Sequence, residues 1–133
     1  MKVIKISIKT SERNEFLDIT DRIRDAVYNS NTKSGIAIVY TPHTTAGITI
    51  NENADPSVKK DIINFLNKKI PYHGDYKHME GNADSHIKSS LIGCSETLII
   101  EDGRIQLGTW QGIFFCEFDG PRRREVWVKI IQD

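Results

Sequence analysis

The chain has 133 residues, 38% of them hydrophobic, and its 18 basic and 18 acidic side chains give a formal net charge of zero. This length is typical of one domain that buries a sizeable core without disulfides or a structural metal. A neutral chain offers no electrostatic basis for general binding to nucleic acids or anionic membranes. We therefore expect a single domain over residues 1–133 with no nucleic-acid and no membrane partner.

The compartment is predicted from apolar runs and cysteines. No apolar run approaches the about 20 residues that a membrane-spanning helix needs. The first residues lead into a strand pattern rather than a signal peptide. Cys94 and Cys116 lie in predicted strands, where they are expected to be buried thiols of a reducing compartment. These features predict a cytoplasmic protein.

The N-terminal part predicts two strands and a helix. Residues 2–8 alternate between apolar and polar side chains, as in a half-solvated strand, and residues 15–19 form a short partner strand after a polar turn. Thr20 is predicted to cap a helix from Asp21 to about Tyr28. One face of that helix is apolar, with Ile23, Ala26 and Val27.

The stretch from Gly35 to Glu52 predicts two strands separated by a polar turn. Gly35–Tyr40 is apolar on both alternating faces, as in a strand that is covered on both sides, and Pro42 ends it. The second strand has one apolar face and one small or polar face. His43 and Thr44 therefore lie at the mouth of a buried strand, which favours a binding or catalytic site.

The middle of the chain predicts a longer helix, an irregular loop and a short helix. Asp55 caps the longer helix, and Asp61 lies near the edge of its apolar stripe, either solvated or turned toward a site. Residues 71–83 lack periodicity, as functional or mobile loops do. Asp84 is predicted to cap the short helix, residues 85–92.

The C-terminal part is rich in strand patterns. Asp102-Gly103 is a strong hairpin signal between residues 97–101 and 104–107. Further strands are predicted at 113–118 and 123–131. In the simpler interpretation, the corner at Gly108–Gly112 places Trp110 in the core. In a functional interpretation, its Thr109 and Gln111 bind a ligand. The whole pattern predicts an α+β fold with six to eight strands, two main helices and one short helix.

Three histidines come from different predicted elements. His43 ends a strand, His78 lies in the irregular loop, and His86 lies in the first turn of the short helix, where the helix dipole disfavours imidazolium. Three imidazoles fit a divalent-metal site with an open position. Loop histidines are also commonly just solvated, so spacing alone leaves both interpretations open.

Charged residues near the C-terminus allow two interpretations as well. Arg122, Arg123 and Arg124 can hold a phosphate, although at most two of them share a strand face; the alternative is a solvated edge. Glu117 and Asp119 either bind Mg²⁺ or pair with Arg122 and Arg124.

Three segments of the sequence resemble the YjbQ family: residues 41–53, 85–93 and 95–113, the last containing Gly108-Thr-Trp-Gln111. The resemblance extends from about Val3 to Ile131. It implies a compact α+β fold with a large mixed sheet or sandwich, a homotrimer, and a pocket that uses His43, His78 and His86. It carries no role over to His73, Asp75 or Glu80.

The same resemblance implies thiamine-phosphate synthase activity, as a secondary activity. This transferase reaction joins a pyrimidine diphosphate to a thiazole phosphate and releases pyrophosphate. It needs cationic groups or Mg²⁺ on the departing diphosphate. Arg122, Lys88 and the N-terminus of the short helix are candidates for the phosphates, and Glu52, Asp61 and Glu117 for a metal or the developing pyrimidine cation.

The resulting hypothesis is a metal-assisted enzyme that acts on a small phosphorylated molecule. Its divalent ion, expected to be zinc, is held by His43, His78 and His86 beside Asn51 and the Gly108–Gly112 corner; Mg²⁺ is possible with a diphosphate. The candidate catalytic residues are His43, Thr44, Asn51, Glu52, Asp61, Gln111, Glu117 and Arg122. His73 should be dispensable. The alternative is a non-catalytic ligand-binding or assembly protein whose histidines close a trimer interface.

Overall fold

Residues 2–133, the part of the chain that the computed structural model describes, form eight strands and three helices. In chain order they are β1 (Ile4–Lys9), β2 (Glu15–Asp18), α1 (Thr20–Asn29), β3 (Gly35–Tyr40), β4 (Ala46–Glu52), α2 (Pro56–Lys69), α3 (Ala83–Ile92), β5 (Ser95–Glu101), β6 (Arg104–Gln106), β7 (Gln111–Glu117) and β8 (Arg123–Gln132).

The strands form two antiparallel sheets. The larger sheet has the order β1-β8-β3-β5-β6, and the smaller has the order β2-β7-β4. The predicted single α+β domain is confirmed in its sandwich form. Every strand pair within residues 2–133 is antiparallel, so the sheets are not mixed.

The main core lies between the two sheets. Alternate residues of each strand point inward, as the period of two requires. The larger sheet contributes Val39, Leu98 and Val128, and the smaller contributes Ile48 and Phe115, all of them buried. Helix α1 adds side chains from its apolar face to the same cluster, namely Ile23 and Val27.

A second apolar cluster lies on the outer face of the smaller sheet, beneath α2 and α3. Phe114, Cys116 and Phe118 are buried there, and side chains of both helices pack against them: Ile62, Ile63, Leu66 and Ile92. Strand β7 is therefore buried on both faces, as predicted. A Cβ on Gly47 of β4 would lie 2.9 Å from the carbonyl oxygen of Gly93, so this glycine lets α3 pack closely.

No helix within residues 2–133 covers the outer face of the larger sheet. Ile36 and Ile38 of β3 are half-buried there, and Tyr40 is exposed. The prediction that β3 is covered on both sides therefore fails within the single chain, because α2 and α3 pack on the other sheet. None of the three helices in residues 2–133 is long and apolar enough to cross a membrane.

Two predicted turns and caps are confirmed. Asp55 accepts the backbone N–H of Ser57 at 2.9 Å, and Pro56 begins α2. Asp102 and Gly103 have φ angles of 53° and 76° and join β5 to β6, since both central residues of this hairpin turn take positive φ.

Four local predictions are wrong. Thr20 lies inside α1, and its hydroxyl accepts the N–H of Ile113 rather than capping the helix. Asp84 lies in the first turn of α3, which begins at Ala83, and binds Arg13 instead of capping. Trp110 is 62% exposed, and Cys94 is exposed outside any strand.

Candidate functional site

A polar pocket, here called the histidine–arginine pocket, opens where the smaller sheet ends. Its volume of about 480 Å³ lies within the range of small-molecule sites. The β3–β4 connection, the loop before α3, the start of α3 and the β7–β8 connection surround it. Its lining residues are Pro42, His43, Thr44, Thr45, His78, Glu80, Asn82, His86, Asp119, Arg122 and Arg124.

The floor of the pocket is a buried ion pair between Arg124 and Glu117. The Nε atom of Arg124 donates to both carboxylate oxygens of Glu117, at 2.9 and 3.1 Å, and Nη2 also bonds to the carboxylate. Thr10 and the backbone N–H groups of Phe118 and Asp119 donate to the same carboxylate. Glu117 thus lies beneath the pocket with its oxygens fully engaged, rather than facing a substrate.

One edge of the Arg124 guanidinium is free. Nη2 also donates to the hydroxyl of Thr45 at 2.8 Å, whereas Nη1 has no partner among residues 2–133. Arg124 is only 4% exposed, but Nη1 is not enclosed, so it faces the pocket that Arg124 lines. A guanidinium edge held in this way is suited to binding an anion.

A second arginine stands beside the first. Arg122 donates from Nε to the carbonyl oxygen of Asp119 at 2.9 Å and from Nη2 to its carboxylate at 3.0 Å. Arg123 points to the other face of β8 and does not line the pocket. The three arginines therefore alternate between faces, as predicted. Glu117 pairs with Arg124, and Asp119 pairs with Arg122, as in the second of the two interpretations.

His43 is held by the backbone of the neighbouring strand. Its Nε2 accepts the N–H of Glu125 at 2.9 Å. Burial lowers the pKa of His43 below its ordinary value, and the nearby charge of Arg124 lowers the pKa further, so the imidazole is neutral at pH 7. Thr44, the next residue, is exposed at the pocket rim.

His78 and His86 lie edge to face, with ring centroids 5.1 Å apart. Two imidazoles on one tetrahedral zinc ion, with zinc–nitrogen bonds of about 2.0–2.1 Å, have centroids about 5 Å apart. The two rings are therefore close enough for one ion, although their edge-to-face contact does not by itself aim a nitrogen of each ring at a common point. Within residues 2–133, however, no three His, Cys, Asp or Glu side chains are arranged to hold a metal ion.

Asn82 joins the two sides of the pocket. Its Nδ2 donates to the carboxylate of Asp119 at 2.8 Å, which fixes the orientation of the amide. Its Oδ1 is the single buried side-chain oxygen or nitrogen in the described chain that has no partner. Buried hydrogen-bond acceptors normally have a donor, so the unpaired Oδ1 of Asn82 is an exception to that rule.

The other predicted site residues lie elsewhere. Asn51 pairs with Gly112, and Glu52 with Gln111, at the far end of β4 and β7 from Glu117, so about six residues or 20 Å of strand separate them from the pocket. The predicted juxtaposition of the histidines with Asn51 and the Gly108–Gly112 corner is therefore wrong. Asp61 is exposed on α2 and does not line the pocket.

Lys88 is not available to phosphates. It is 1% exposed, and its ammonium bonds to the side-chain oxygens of Asn67 at 2.6 Å and Asn14 at 3.2 Å. His73, expected to be dispensable, stacks on Tyr72 outside the pocket with ring centroids 4.6 Å apart.

A larger cavity of about 860 Å³ lies at the opposite end, between α1, the β5–β6 hairpin and the Gly108–Gln111 corner. Its charged lining residues, such as Arg24 and Arg104, are exposed. Gln111 accepts the N–H of Gly108 at 2.8 Å and thereby closes its own corner. We therefore place the candidate site in the smaller pocket, where buried charges are fixed in position.

Six lining residues lie outside the set of site residues predicted from the sequence: Pro42, Thr45, Glu80, Asn82, Asp119 and Arg124. Alternation along the last strand was the signal that could have selected Arg124 together with Arg122. Asn82 had no comparable signal, because its role depends on contact with a residue far along the chain.

Comparison with known proteins gives a consistent result. The profile of the family described as UPF0047 protein YjbQ-like matches residues 4–133. A UPF0047 protein of Methanocaldococcus jannaschii is 65% identical over 98% of this chain and 95% of its own length. The Bacillus subtilis UPF0047 protein YugU is 50% identical over 95% and 96%.

Solved structures agree with the fold. An uncharacterized YjbQ/UPF0047 protein of Clostridium acetobutylicum superimposes with a TM-score of 0.95 at 58% identity, covering 96% of this chain and 99% of its own. A protein of unknown function from Sulfolobus solfataricus gives a TM-score of 0.95 at 30% identity, covering 99% and 97%.

Proposed function

The chain belongs to the YjbQ-like UPF0047 family, and from that premise we propose that it is a metal-assisted enzyme acting on a small phosphorylated molecule, with thiamine-phosphate synthase activity. The observation that carries the substrate class is the free Nη1 edge of the buried Arg124. When a ligand enters and displaces water from the pocket, the local dielectric constant falls, and the attraction between this guanidinium edge and a phosphate becomes stronger.

Two arginines serve the departing diphosphate in the proposed reaction. The carbon–oxygen bond to the diphosphate breaks, the bonding electrons leave with it, and a carbon–nitrogen bond to the thiazole ring forms. Arg124 and Arg122 both face the pocket and are held by carboxylates on their other edges. Their geometry is thus set before the substrate binds, which is the condition for electrostatic stabilisation of a developing negative charge.

His78 and His86 are the residues that would hold the divalent ion. Their 5.1 Å separation suits two ligands of one ion, and substrate oxygens or water would complete its coordination. A divalent ion supplies further neutralisation of the leaving diphosphate. Zinc fits the two imidazoles best, and Mg²⁺ fits the oxygens of a diphosphate.

Both cysteines are unpaired, which agrees with a cytoplasmic location.

We expect the Arg122→Ala variant to lose activity and the Arg123→Ala variant to keep it. Arg122 faces the pocket, and Arg123 is its exposed neighbour on the opposite face. Losing a charge-assisted bond to phosphate lowers kcat/KM about tenfold to hundredfold. The assay supplies Mg²⁺ and both thiamine precursors and measures thiamine phosphate formed by the wild type and the two variants.

The outcomes separate the enzyme from its rival. No product above a protein-free blank contradicts the synthase proposal and favours a ligand-binding or assembly protein. Equal losses in both arginine variants contradict the assignment to this pocket. Nucleic-acid binding ranks last because the net charge is zero.

We also propose that the protein is a homotrimer. The support is the uncovered outer face of the larger sheet, where apolar side chains are exposed or half-buried: Ile36, Ile38, Tyr40, Ile99, Trp127 and Ile131. Exposed apolar surface of this kind marks contacts between proteins.

Light scattering should therefore give about three times 15.2 kDa. Ile99→Lys should weaken assembly at least tenfold, because Ile99 is 61% exposed on this face, on β5 beside Ile36 of the central strand β3. Phe65→Lys is the matched control, since Phe65 is 60% exposed on α2. A monomer mass for the wild type, or equal effects of the two variants, contradicts the proposal.

A further inference from the structure

We infer that His43 is an oxyanion-binding residue of the pocket, whose Nδ1–H donates to a phosphate oxygen of the substrate, and that it is not a metal ligand. This assignment rests on the proposed phosphorylated substrate and divides the three histidines between two tasks. His78 and His86 remain the pair placed to share an ion.

The hydrogen bond to Glu125 determines the tautomer of His43. A neutral imidazole has one N–H donor and one lone-pair acceptor. Nε2 of His43 accepts the backbone N–H of Glu125 at 2.9 Å, so Nε2 carries the lone pair and Nδ1 carries the hydrogen. A metal ion needs a free lone pair, and neither nitrogen offers one in this position.

Glu125 requires this acceptor because its N–H lies beyond the end of the β3–β8 pairing. Strand β8 pairs with β3 as far as Trp127, opposite Tyr40. Beyond Tyr40 the chain turns away through Thr41 and Pro42, and Glu125 has no β3 residue opposite it. The imidazole therefore takes the place of a strand carbonyl, and turning it toward a metal would leave a half-buried N–H unpaired.

The remaining N–H of His43 is available to a ligand in the pocket. His43 lines the pocket together with Arg124, and its Nδ1 has no partner among residues 2–133 and is not enclosed. Burial and the charge of Arg124 keep the ring neutral. A fixed neutral donor beside a guanidinium edge binds an oxyanion without first having to be protonated.

Isothermal titration with inorganic phosphate and with Zn²⁺, each alone at pH 8, tests the assignment. His43→Ala should weaken phosphate binding about tenfold to hundredfold and leave zinc affinity within about twofold. His43→Gln should bind phosphate within about threefold of the wild type, because its amide offers an acceptor to Glu125 and a donor to phosphate. His86→Ala should instead weaken zinc binding.

Long-range ¹H–¹⁵N spectra of the wild type supply a second readout that needs no variant. His43 should show the Nδ1–H tautomer, its signals should move with phosphate, and those of His78 and His86 should move with zinc. A loss of zinc binding in both His43 variants, or an Nε2–H tautomer, overturns the inference. Absence of phosphate binding to the wild type overturns the proposed substrate class itself, and with it the anion role of His43.

Discussion

Replacement of Glu117 with glutamine is expected to lower the free energy of unfolding by about 3–5 kcal/mol. The carboxylate is completely buried and is the counter-charge of Arg124, which is itself 4% exposed. It also accepts hydrogen bonds from Thr10 and two backbone N–H groups. A neutral amide leaves the guanidinium without a counter-charge and turns its own N–H₂ toward donors. Urea unfolding at pH 7 measures the change.

Two further variants separate the loss of this buried ion pair from the general effect of a substitution. The double variant Glu117→Leu/Arg124→Met should be more stable than Glu117→Gln, because removing both charges leaves neither one buried and unpaired. Asp21→Asn, which breaks an exposed pair with Arg24, should change stability by less than about 1 kcal/mol. A Glu117→Gln variant as stable as Asp21→Asn contradicts the role assigned to the buried pair.

The same pair gives the wild type part of its acid sensitivity. Burial raises the pKa of Glu117, but hydrogen bonds from Arg124 and Thr10 outweigh it, and the pKa in the folded protein lies below the ordinary value. At pH values between the folded-state pKa and the ordinary pKa, the unfolded chain binds more protons than the folded protein does. The stabilisation by the Glu117–Arg124 pair is therefore fully present above the usual glutamate pKa of about 4.3, and it is lost as the pH falls through the folded-state pKa. The difference in the free energy of unfolding between the wild type and Glu117→Gln should therefore become smaller at acid pH.

Replacement of Asp84 with asparagine is expected to cost about 3–5 kcal/mol as well. Asp84 is completely buried between two cations, with Arg13 at 2.9 Å and Lys88 at 3.4 Å. Arg13 also stacks on Tyr72, so Arg13 connects this carboxylate, the loop before α3 and the β1–β2 turn. Without the negative charge of Asp84, the ammonium of Lys88 has only neutral oxygens as hydrogen-bond acceptors. Thermal and urea unfolding measure the loss.

The matched variant for this cluster is Lys88→Met. It removes one cation and leaves Asp84 paired with Arg13, so we expect a smaller loss than in Asp84→Asn. Burial lowers the pKa of Lys88, and Asp84 counteracts that shift. If Lys88→Met is the more destabilising of the two, the lysine and not the carboxylate organises the cluster.

Local patterns determined much of the secondary structure. The hairpin at Asp102-Gly103 and the start of α2 at Asp55 depend on φ preferences and capping within a few residues, so the sequence alone predicts them. The apolar run of β7 likewise predicted burial on both faces. The resemblance in the motifs predicted the family.

The site was only partly accessible to this reasoning. Local pattern and resemblance point to His43, His78, His86 and Arg122, and all four line one pocket. The same motifs also contain Asn51 and Gln111, which the sequence alone therefore predicts beside them. Neighbours along a strand are separated by its length, however, and β4 and β7 carry these two residues to the opposite end.

Local patterns are therefore sufficient to predict the family, the fold class, most elements and the candidate histidines. The contacts of those side chains depend on the tertiary structure. Residues 117 and 124 pair across a turn, Asp84 meets Arg13 from 71 positions away, and the imidazole of His43 bonds to a strand 82 positions along the chain. Such contacts depend on how two sheets pack, and they fix charge, tautomer and burial, which no local pattern encodes.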